Sequence, residues 1–396
     1  MKYLDEYRSQ EQVRKLAEAI RRTVTRPWHI MEICGGQTHA LARYRLEEML
    51  PPEIRLLHGP GCPVCVTPVS TIDYALRLAA LPDCIVATFG DMMRVPGSRE
   101  DLLHVKASGG DVRMLYSPLD AVTLAENHPD KRVIFFAIGF ETTAPAHLLA
   151  LKEAIRKKIG NFFLLTALFT VPPAIEAILS DPESKTDGFL TAGHVCSITG
   201  NAAYHRLAKH YKTPMVVTGF EPVDLLYGIY RCLLQLEAGK SEVENAYKRA
   251  VPENGNPAAL KLMEEMLEPC DQTWRGIGTL PLSGLRLRPA FQNYDATRFL
   301  TDGESPELAK DATVFFQEGN PSDPIRPDYE KTYAVQSKSN GDSPPPIPLC
   351  VAGDLFRGLK QPADCPLFGT RCQPDHPQGA PMVSSEGVCA AYYRYK

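Results

Sequence analysis

The chain has 396 residues, of which 44% are hydrophobic, and a formal net charge of −4. That length is too great for one ordinary domain, so two or three are expected, each with a packed core. Mild acidity without a long basic run excludes the electrostatic footprint of nucleic-acid binding, and no window approaches the ~18 apolar residues of a membrane-spanning helix. The N-terminus is charged, has apolar residues at helical spacing (Tyr3, Leu4, Tyr7, Val13, Leu16, Ile20) and lacks the apolar centre of a signal peptide. A cytoplasmic, reducing setting is therefore expected. There, eleven cysteines serve as metal or redox ligands and core thiols rather than as a disulfide frame.

In chain order, the first helix is followed by Trp28-His-Ile-Met-Glu-Ile-Cys34, a strand that runs into Gly35-Gly-Gln-Thr-His39 and a helical stretch to about Met49. Glu53-Ile-Arg-Leu-Leu57 predicts a second strand. It stops at Gly59, Pro60, Gly61 and Pro63, a turn that carries Cys62 and Cys65, and a helix-prone run from about Ser70 to Ala80 follows. Cys84–Phe89 and Val112–Tyr116 are the next strands. From about Asn127 the pattern begins again with strands at Arg132–Ile138, Asn161–Ala167, Gly188–Thr191 and Pro214–Thr218, and with helices such as Ala144–Lys158 and Pro173–Leu179 between them. Short apolar strands alternating with helices predict parallel sheets in an α/β architecture, and two rounds of the pattern predict two Rossmann-like sheets. Glu237 to Met266 looks helical, while Leu280–Pro289 and Asp311–Gln317 are less regular. Pro321–Pro348 is rich in Pro, Ser, Asp, Gly and Lys and predicts a long exposed loop. The segment from Cys350 onward is Cys-, Pro- and Gly-rich, and so poor in aliphatic residues that it needs a further staple.

Nearly every strand ends in a polar, Gly-rich turn. Ligands of open α/β sheets bind at the carboxyl ends of strands, and Cys34, Cys62, Cys65, Glu141 and His194 all lie at such ends. Cys62-Pro-Val-Cys65 reads as a redox dithiol or a soft-metal site, with a zinc half-site or inert thiols as the alternative; backbone N–H groups and the helix dipole at such a turn favour thiolate. Cys34 occupies the equivalent position in the neighbouring unit and adds a third thiol. His39 is either a satisfied polar residue or a base and hydrogen-bond partner near these thiols. Glu141, with Thr142 and Thr143, is either a helix cap or a functional carboxylate, and His194 carries the same ambiguity. Cys350, Cys365, Cys372 and Cys389 are separated by wide intervals without a close Cys-x-x-Cys pair. Such spacing suits a four-thiolate iron–sulfur cluster better than a zinc ribbon, with zinc or four unrelated core cysteines as alternatives. Cys84, Cys196, Cys232 and Cys270 lack partners at ligand spacing and are expected to be buried or incidental. The phosphate-binding, nucleophile-elbow and zinc-protease motifs are absent from the sequence.

Four blocks taken together resemble the HypD hydrogenase formation and maturation proteins: Cys34-Gly-Gly-Gln-Thr-His39, Gly59-Pro-Gly-Cys-Pro-Val-Cys-Val-Thr-Pro68, Gly139-Phe-Glu-Thr-Thr-Ala-Pro145 and Met382-Val-Ser-Ser-Glu-Gly-Val-Cys-Ala-Ala-Tyr392. The resemblance implies two α/β domains plus a small Cys-rich iron–sulfur domain. The divisions expected are an N-terminal helix over 1–27 packed on the C-terminal unit, a first α/β domain over 28–126, a second over 127–236, and a helical and cluster domain over 237–396. It also implies a scaffold on which iron receives two cyanides and one carbon monoxide, the Fe(CN)2CO moiety of [NiFe]-hydrogenase. The partners implied are a HypC-type small chaperone, a HypE-type donor that carries cyanide on a terminal thiocarboxamide and, indirectly, the hydrogenase large-subunit precursor. Carried over residue by residue, Cys34, Cys62 and Cys65 are the thiols of the central cleft, with His39 and Glu141 moving or orienting protons. Cys350, Cys365, Cys372 and Cys389 are the ligands of a [4Fe-4S] cluster. Some members carry an extra cysteine pair close to the cluster, and this chain has Ala352 and Pro381 there. Cys62/Cys65 is then the only close dithiol left for a redox step. A stand-alone iron–sulfur thiol–disulfide oxidoreductase and a zinc-stabilised binding module are the competing readings.

Overall fold

A computed structural model describes residues 5–299 and 350–396. The segments 311–317 and 321–348, and residues Tyr3 and Leu4, lie outside the described residues. The described residues hold eleven strands: β1 (Trp28–Glu32), β2 (Ile54–His58), β3 (Cys84–Phe89), β4 (Val112–Leu115), β5 (Arg132–Gly139), β6 (Phe162–Phe169), β7 (Gly188–Ala192), β8 (Met215–Thr218), β9 (Val243–Asn245), β10 (Leu267–Trp274) and β11 (Gly278–Leu287). They form two sheets, a five-stranded one in the order β2-β1-β7-β8-β9 and a six-stranded one in the order β10-β11-β6-β5-β3-β4. Every pairing in the first sheet is parallel. The second is parallel from β6 to β4 and antiparallel where the β10–β11 hairpin joins it. Burial explains why the parallel strands read as continuous apolar runs. In β5 every residue after Arg132 is buried, and β7 and β8 are buried throughout, as helices covering both faces require.

The sheets cut across the division expected at 126/127. The first sheet takes its strands from 28–58 and again from 188–245, and the second from 84–169 and again from 267–287. Apolar runs reveal strands in chain order, but not which strands pair. The 237–396 stretch is likewise shared out. β9 completes the edge of the first sheet, the helix Pro257–Met266 follows, and β10–β11 extends the second sheet. Leu280–Pro289, expected to be irregular, lies mostly in β11. In β10 only Leu267 and Trp274 are buried, and Pro269 is exposed. An edge strand with one wet face and a proline has no apolar run to announce it.

The N-terminal helix, Gln10–Thr23, starts at Ser9, whose side chain accepts the Gln12 N–H. Among the described residues it packs on the helix Pro222–Glu237 rather than on the C-terminal unit. Val13 and Ile20 enter a core with Leu225, Leu226 and Ile229, while Arg8 pairs with Glu221. Its apolar stripe thus covers the first sheet. Leu355, Leu367, Met382, Val388 and Tyr392 form a small core with Ala42, while Ala352, Phe356, Ala380 and Val383 join the main core. Among the described residues no helix is long and apolar enough to cross a membrane.

Ile20 is fully buried, so Ile20→Ala is expected to lower unfolding stability by about 3 kcal/mol. Urea unfolding of the full chain, monitored by circular dichroism, checks this.

Candidate functional site

The strand order β2-β1-β7 sets three strand ends side by side, and each delivers a reactive group. Cys34 follows β1, the Cys62/Cys65 turn follows β2 and His194 follows β7. The Gly35 N–H donates to the Gly61 carbonyl at 2.9 Å. A side chain on Gly61 would place its Cβ 2.3 Å from the Cys34 nitrogen and 2.4 Å from its Cα. Only glycine lets the two backbones touch, and that contact brings Cys62 up to Cys34. Cys62 caps the short helix Pro63–Val66, its Sγ accepting the Cys65 N–H at 3.1 Å. Cys62 and Cys65 are joined as a disulfide with their Cα atoms 5.2 Å apart.

Cys34 has its Sγ 3.6 Å from His194 Nδ1 and 3.9 Å from Nε2. The imidazole lies beside the Phe220 ring, centroids 5.2 Å apart. Burial lowers the His194 pKa to about 4, so at neutral pH it is an uncharged base. Burial also pushes the Cys34 thiol well up, and the carboxylates of Glu386 and Glu32 add to this. At Cys34 desolvation therefore outweighs the helix-end dipole that favours thiolate. A cation bound to the sulfur reverses the balance, because it repays the charge it removes from water.

Beneath the thiol lies a carboxylate that sequence reasoning did not single out. Glu32 is fully buried. It accepts the Cys34 N–H at 2.8 Å on Oε2, and on Oε1 the Thr38 hydroxyl and His58 Nδ1–H, the latter at 2.8 Å. The parallel register pairs Glu32 with His58 directly. His58 Nε2–H reaches the Tyr392 hydroxyl at 2.6 Å, which in turn donates to Glu47 at 2.8 Å. Burial alone would lower the His58 pKa, but Glu32 and Glu47 outweigh it and raise it to about 9. Burial opposes ionisation of Glu47, yet His58 and Lys396 overcome it and hold its carboxyl at about 2. The available signal was a charge and a histidine inside two apolar strands, since a buried charge demands a partner.

His39 lies at the junction with the C-terminal unit. Its Nδ1 donates to the Ser385 carbonyl at 3.0 Å, and its Nε2 is 3.3 Å from the Tyr395 hydroxyl. Glu141 belongs to the other sheet, just beyond β5. Its Oε1 accepts the Val171 N–H at 2.9 Å, so it caps the helix Val171–Ser180 rather than the helix Ala144–Arg156 that follows it. Among the described residues its Oε2 is buried without a hydrogen-bond partner, and burial raises its pKa to about 7, the range of a general acid or base at neutral pH.

Cys350, Cys365, Cys372 and Cys389 line one small pocket, together with Leu355, Phe368, Pro381 and Met382. Among the described residues no three His, Cys, Asp or Glu side chains form a group that could hold a single metal ion. Burial raises the pKa of Cys350 to about 11, with Cys365 and Cys372 adding to it, and raises Cys389 well above the usual thiol range with help from all three neighbours. Raised pKa values keep Cys350, Cys372 and Cys389 protonated, and holding all four as thiolates would take a multiply charged cation among them. A polynuclear iron–sulfur cluster, which takes one thiolate at each corner, fits donor type and number. The Gln378 N–H points at Cys372 Sγ, 3.3 Å away, as amides do around such sulfurs.

A family model for HypD, described as "Hydrogenase formation hypA family", matches residues 11–314 and 322–396. The chain is similar to hydrogenase maturation factor HypD2 of Bradyrhizobium diazoefficiens, with 42% identity over 405 residues that cover 100% of this chain and 97% of that one. It is similar to hydrogenase maturation factor HypD of Rhizobium leguminosarum bv. viciae, 42% identical over 409 residues, 100% and 96% of the two chains. With HypD of Escherichia coli K12 it shares 38% identity over 406 residues, 100% and 98% of the two.

Two outcomes follow from the geometry. Gly61→Ala forces the thiol turn away from Cys34 and is expected to cost about 3 kcal/mol, the upper range for overpacking, read by urea unfolding. His58 has a raised pKa, so its contribution to stability is complete below its unfolded value of 6.5 and is lost as pH rises through about 9. Glu47 has a lowered pKa, so its contribution is complete above 4.5 and is lost as pH falls toward about 2. Melting temperature measured against pH is expected to decline between pH 6.5 and 9, and His58→Gln is expected to remove that decline.

Proposed function

The chain belongs to the HypD family of hydrogenase formation proteins, and we propose that it is a maturation factor for [NiFe]-hydrogenase, a redox-active scaffold on which Fe(CN)2CO iron is assembled with a HypC-type chaperone and a HypE-type cyanide donor. A cytoplasmic location is part of the same proposal. The observation that carries it is the meeting of Cys34, the Cys62–Cys65 pair and His194 at three neighbouring strand ends, with the backbones in contact at Gly61.

Low-spin iron bearing cyanide and carbon monoxide is a substrate that prefers soft thiolate donors. Cys34 is such a donor once its proton leaves, and the neutral His194 ring beside its sulfur is placed to receive that proton. Release of cyanide from a sulfur-bound carrier needs two electrons. Attack of the Cys62 thiolate on the carrier sulfur breaks the sulfur–carbon bond and expels cyanide, leaving a mixed disulfide. Cys65 then displaces the carrier as a thiol and closes the Cys62–Cys65 disulfide. The N–H that Cys65 donates to Cys62 Sγ stabilises the attacking thiolate.

Cys350, Cys365, Cys372 and Cys389 would hold a [4Fe-4S] cluster, and such a cluster supplies one-electron transfer when bound. Glu141, with its pKa near neutrality, moves protons from the opposing sheet, while His39 ties the helix Val388–Tyr395 to the Cys34 helix. The competing stand-alone oxidoreductase requires a disulfide substrate to reach Cys62 and Cys65. They are 3% and 0% exposed, which favours delivery by a docked partner.

Cys34→Ala, Cys62→Ala and Cys65→Ala are each expected to abolish hydrogenase activity in cells that depend on this protein. Normal activity in all three would sink the scaffold reading, and disulfide turnover without the chaperone would favour the oxidoreductase. Anaerobically purified protein is expected to hold about four irons and a broad visible absorption band; zinc alone would reject the cluster. Co-purification with the chaperone should give infrared bands of cyanide and carbon monoxide.

A further inference from the structure

The Cys34 turn and the helix Val388–Tyr395 come from distant parts of the chain, yet one buried run of polar groups joins them. It passes from the Cys34 N–H to Glu32, from Glu32 to His58 and from His58 to Tyr392, in steps of 2.8, 2.8 and 2.6 Å. Tyr392 stands one turn beyond Cys389 on the same helix, and its ring meets the His58 ring edge-on at 5.2 Å. Glu32 is 0% exposed and His58 3%, so water does not replace a lost partner there. Three charged or titratable groups face the imidazole: Glu32 from β1, Glu47 from the turn Leu46–Met49 and Tyr392 from the last helix. Lys396 acts on Glu47, and Arg55 acts on Tyr392.

We propose that His58 and Tyr392 are positioning residues which, through Glu32, hold the helix carrying Cys389 in fixed register with the Cys34 turn and so set the rate of electron passage from the C-terminal cluster to the Cys62–Cys65 disulfide. The proposal rests on the functional reading above. In the step it governs, the S–S bond breaks and takes two electrons, delivered singly by a low-potential one-electron donor through the cluster, and two protons from solvent. Two thiols result. Neither His58 nor Tyr392 touches a sulfur. The two carboxylates keep His58 protonated until about pH 9, and loss of its charge takes from buried Glu32 its cationic partner and leaves Glu47 to Lys396 alone.

The test uses the full-length protein, loaded anaerobically with iron and sulfide, as wild type, His58→Gln and Tyr392→Phe. The second variant removes one hydroxyl and spares the fold if the first does not. The cluster is reduced with a photoreduced deazaflavin, and new thiols at Cys62 and Cys65 are counted by alkylation and mass spectrometry. Iron and sulfide contents are expected to match wild type in both variants, while the disulfide is reduced about tenfold more slowly, the factor one charged hydrogen bond controls. The wild-type rate is expected to show a drop centred near pH 9 on top of the gradual decline that proton uptake imposes, and the His58→Gln rate only that gradual decline; a purely structural loss would not erase the drop. Wild-type rates and profile in both variants overturn the proposal. If wild-type protein takes up no iron, or its reduced cluster leaves the disulfide intact, the functional reading fails instead. Amide hydrogen exchange then decides the joint: unchanged protection of residues 35–43 and 388–395 in both variants overturns it, and their joint loss supports it.

Discussion

A carboxylate without exposed surface stands at the carboxyl end of β1, and the architecture of the thiol site follows from satisfying it. Glu32 must find donors within the protein, because leaving it bare in the interior costs far more than any single packing contact returns. Its donors come from the Cys34 amide, the Thr38 hydroxyl and the His58 imidazole. The first two fix the start of the helix Gly35–Arg43. The third ties β1 to β2, and beyond it Tyr392 and Glu47 tie both to the C-terminal unit. A single buried charge thus couples the helix behind one thiol, the strand before the dithiol and the helix that bears Cys389.

The topology supplies the rest. In a parallel sheet all carboxyl ends open on one side, so adjacent strands put their following loops in contact however far apart they lie in the chain. The β2-β1-β7 order makes neighbours of residues 34, 62 and 194, and Gly61 closes the remaining distance. Glu141 comes from the other sheet, with one oxygen spent on a helix end and the other unpartnered among the described residues. Around Cys34, then, sit a neutral base and two further sulfurs. The C-terminal thiols form a different environment, an apolar pocket in which burial raises the pKa of Cys350, Cys372 and Cys389.

Much of this was legible in the residues. Eight of the nine parallel strands were found to within a residue or two, because strands buried on both faces must be apolar and must stop at glycine or proline turns; β9, short and half-buried at the sheet edge, lay in a stretch that reads as helical. The strand-end thiols were legible for the same reason. Pairing was not, since nothing local distinguishes β7 from β4 as the neighbour of β1. The β10–β11 hairpin escaped because one of its faces is wet and Pro269 interrupts it. The docking of Gln10–Thr23 on Pro222–Glu237 depends on two complementary apolar stripes far apart in sequence. Glu32 and His58 were not singled out, because only the register places them side by side.

The interleaving of the two sheets also bears on how the chain reaches its fold. It crosses from the first sheet to the second after β2, returns before β7 and crosses again after β9. During synthesis the first two strands, already carrying Cys34 and the Cys62/Cys65 turn, emerge with β7 still more than a hundred residues away. They wait through the making of most of the second sheet, with their apolar faces uncovered. Long-range closure of this kind is slow and leaves exposed edges prone to association. Neither sheet corresponds to a contiguous fragment, so cutting the chain between β6 and β7 separates β1 from β7 and cannot yield two self-sufficient halves. The reactive thiols are among the first parts to be made and among the last to be enclosed.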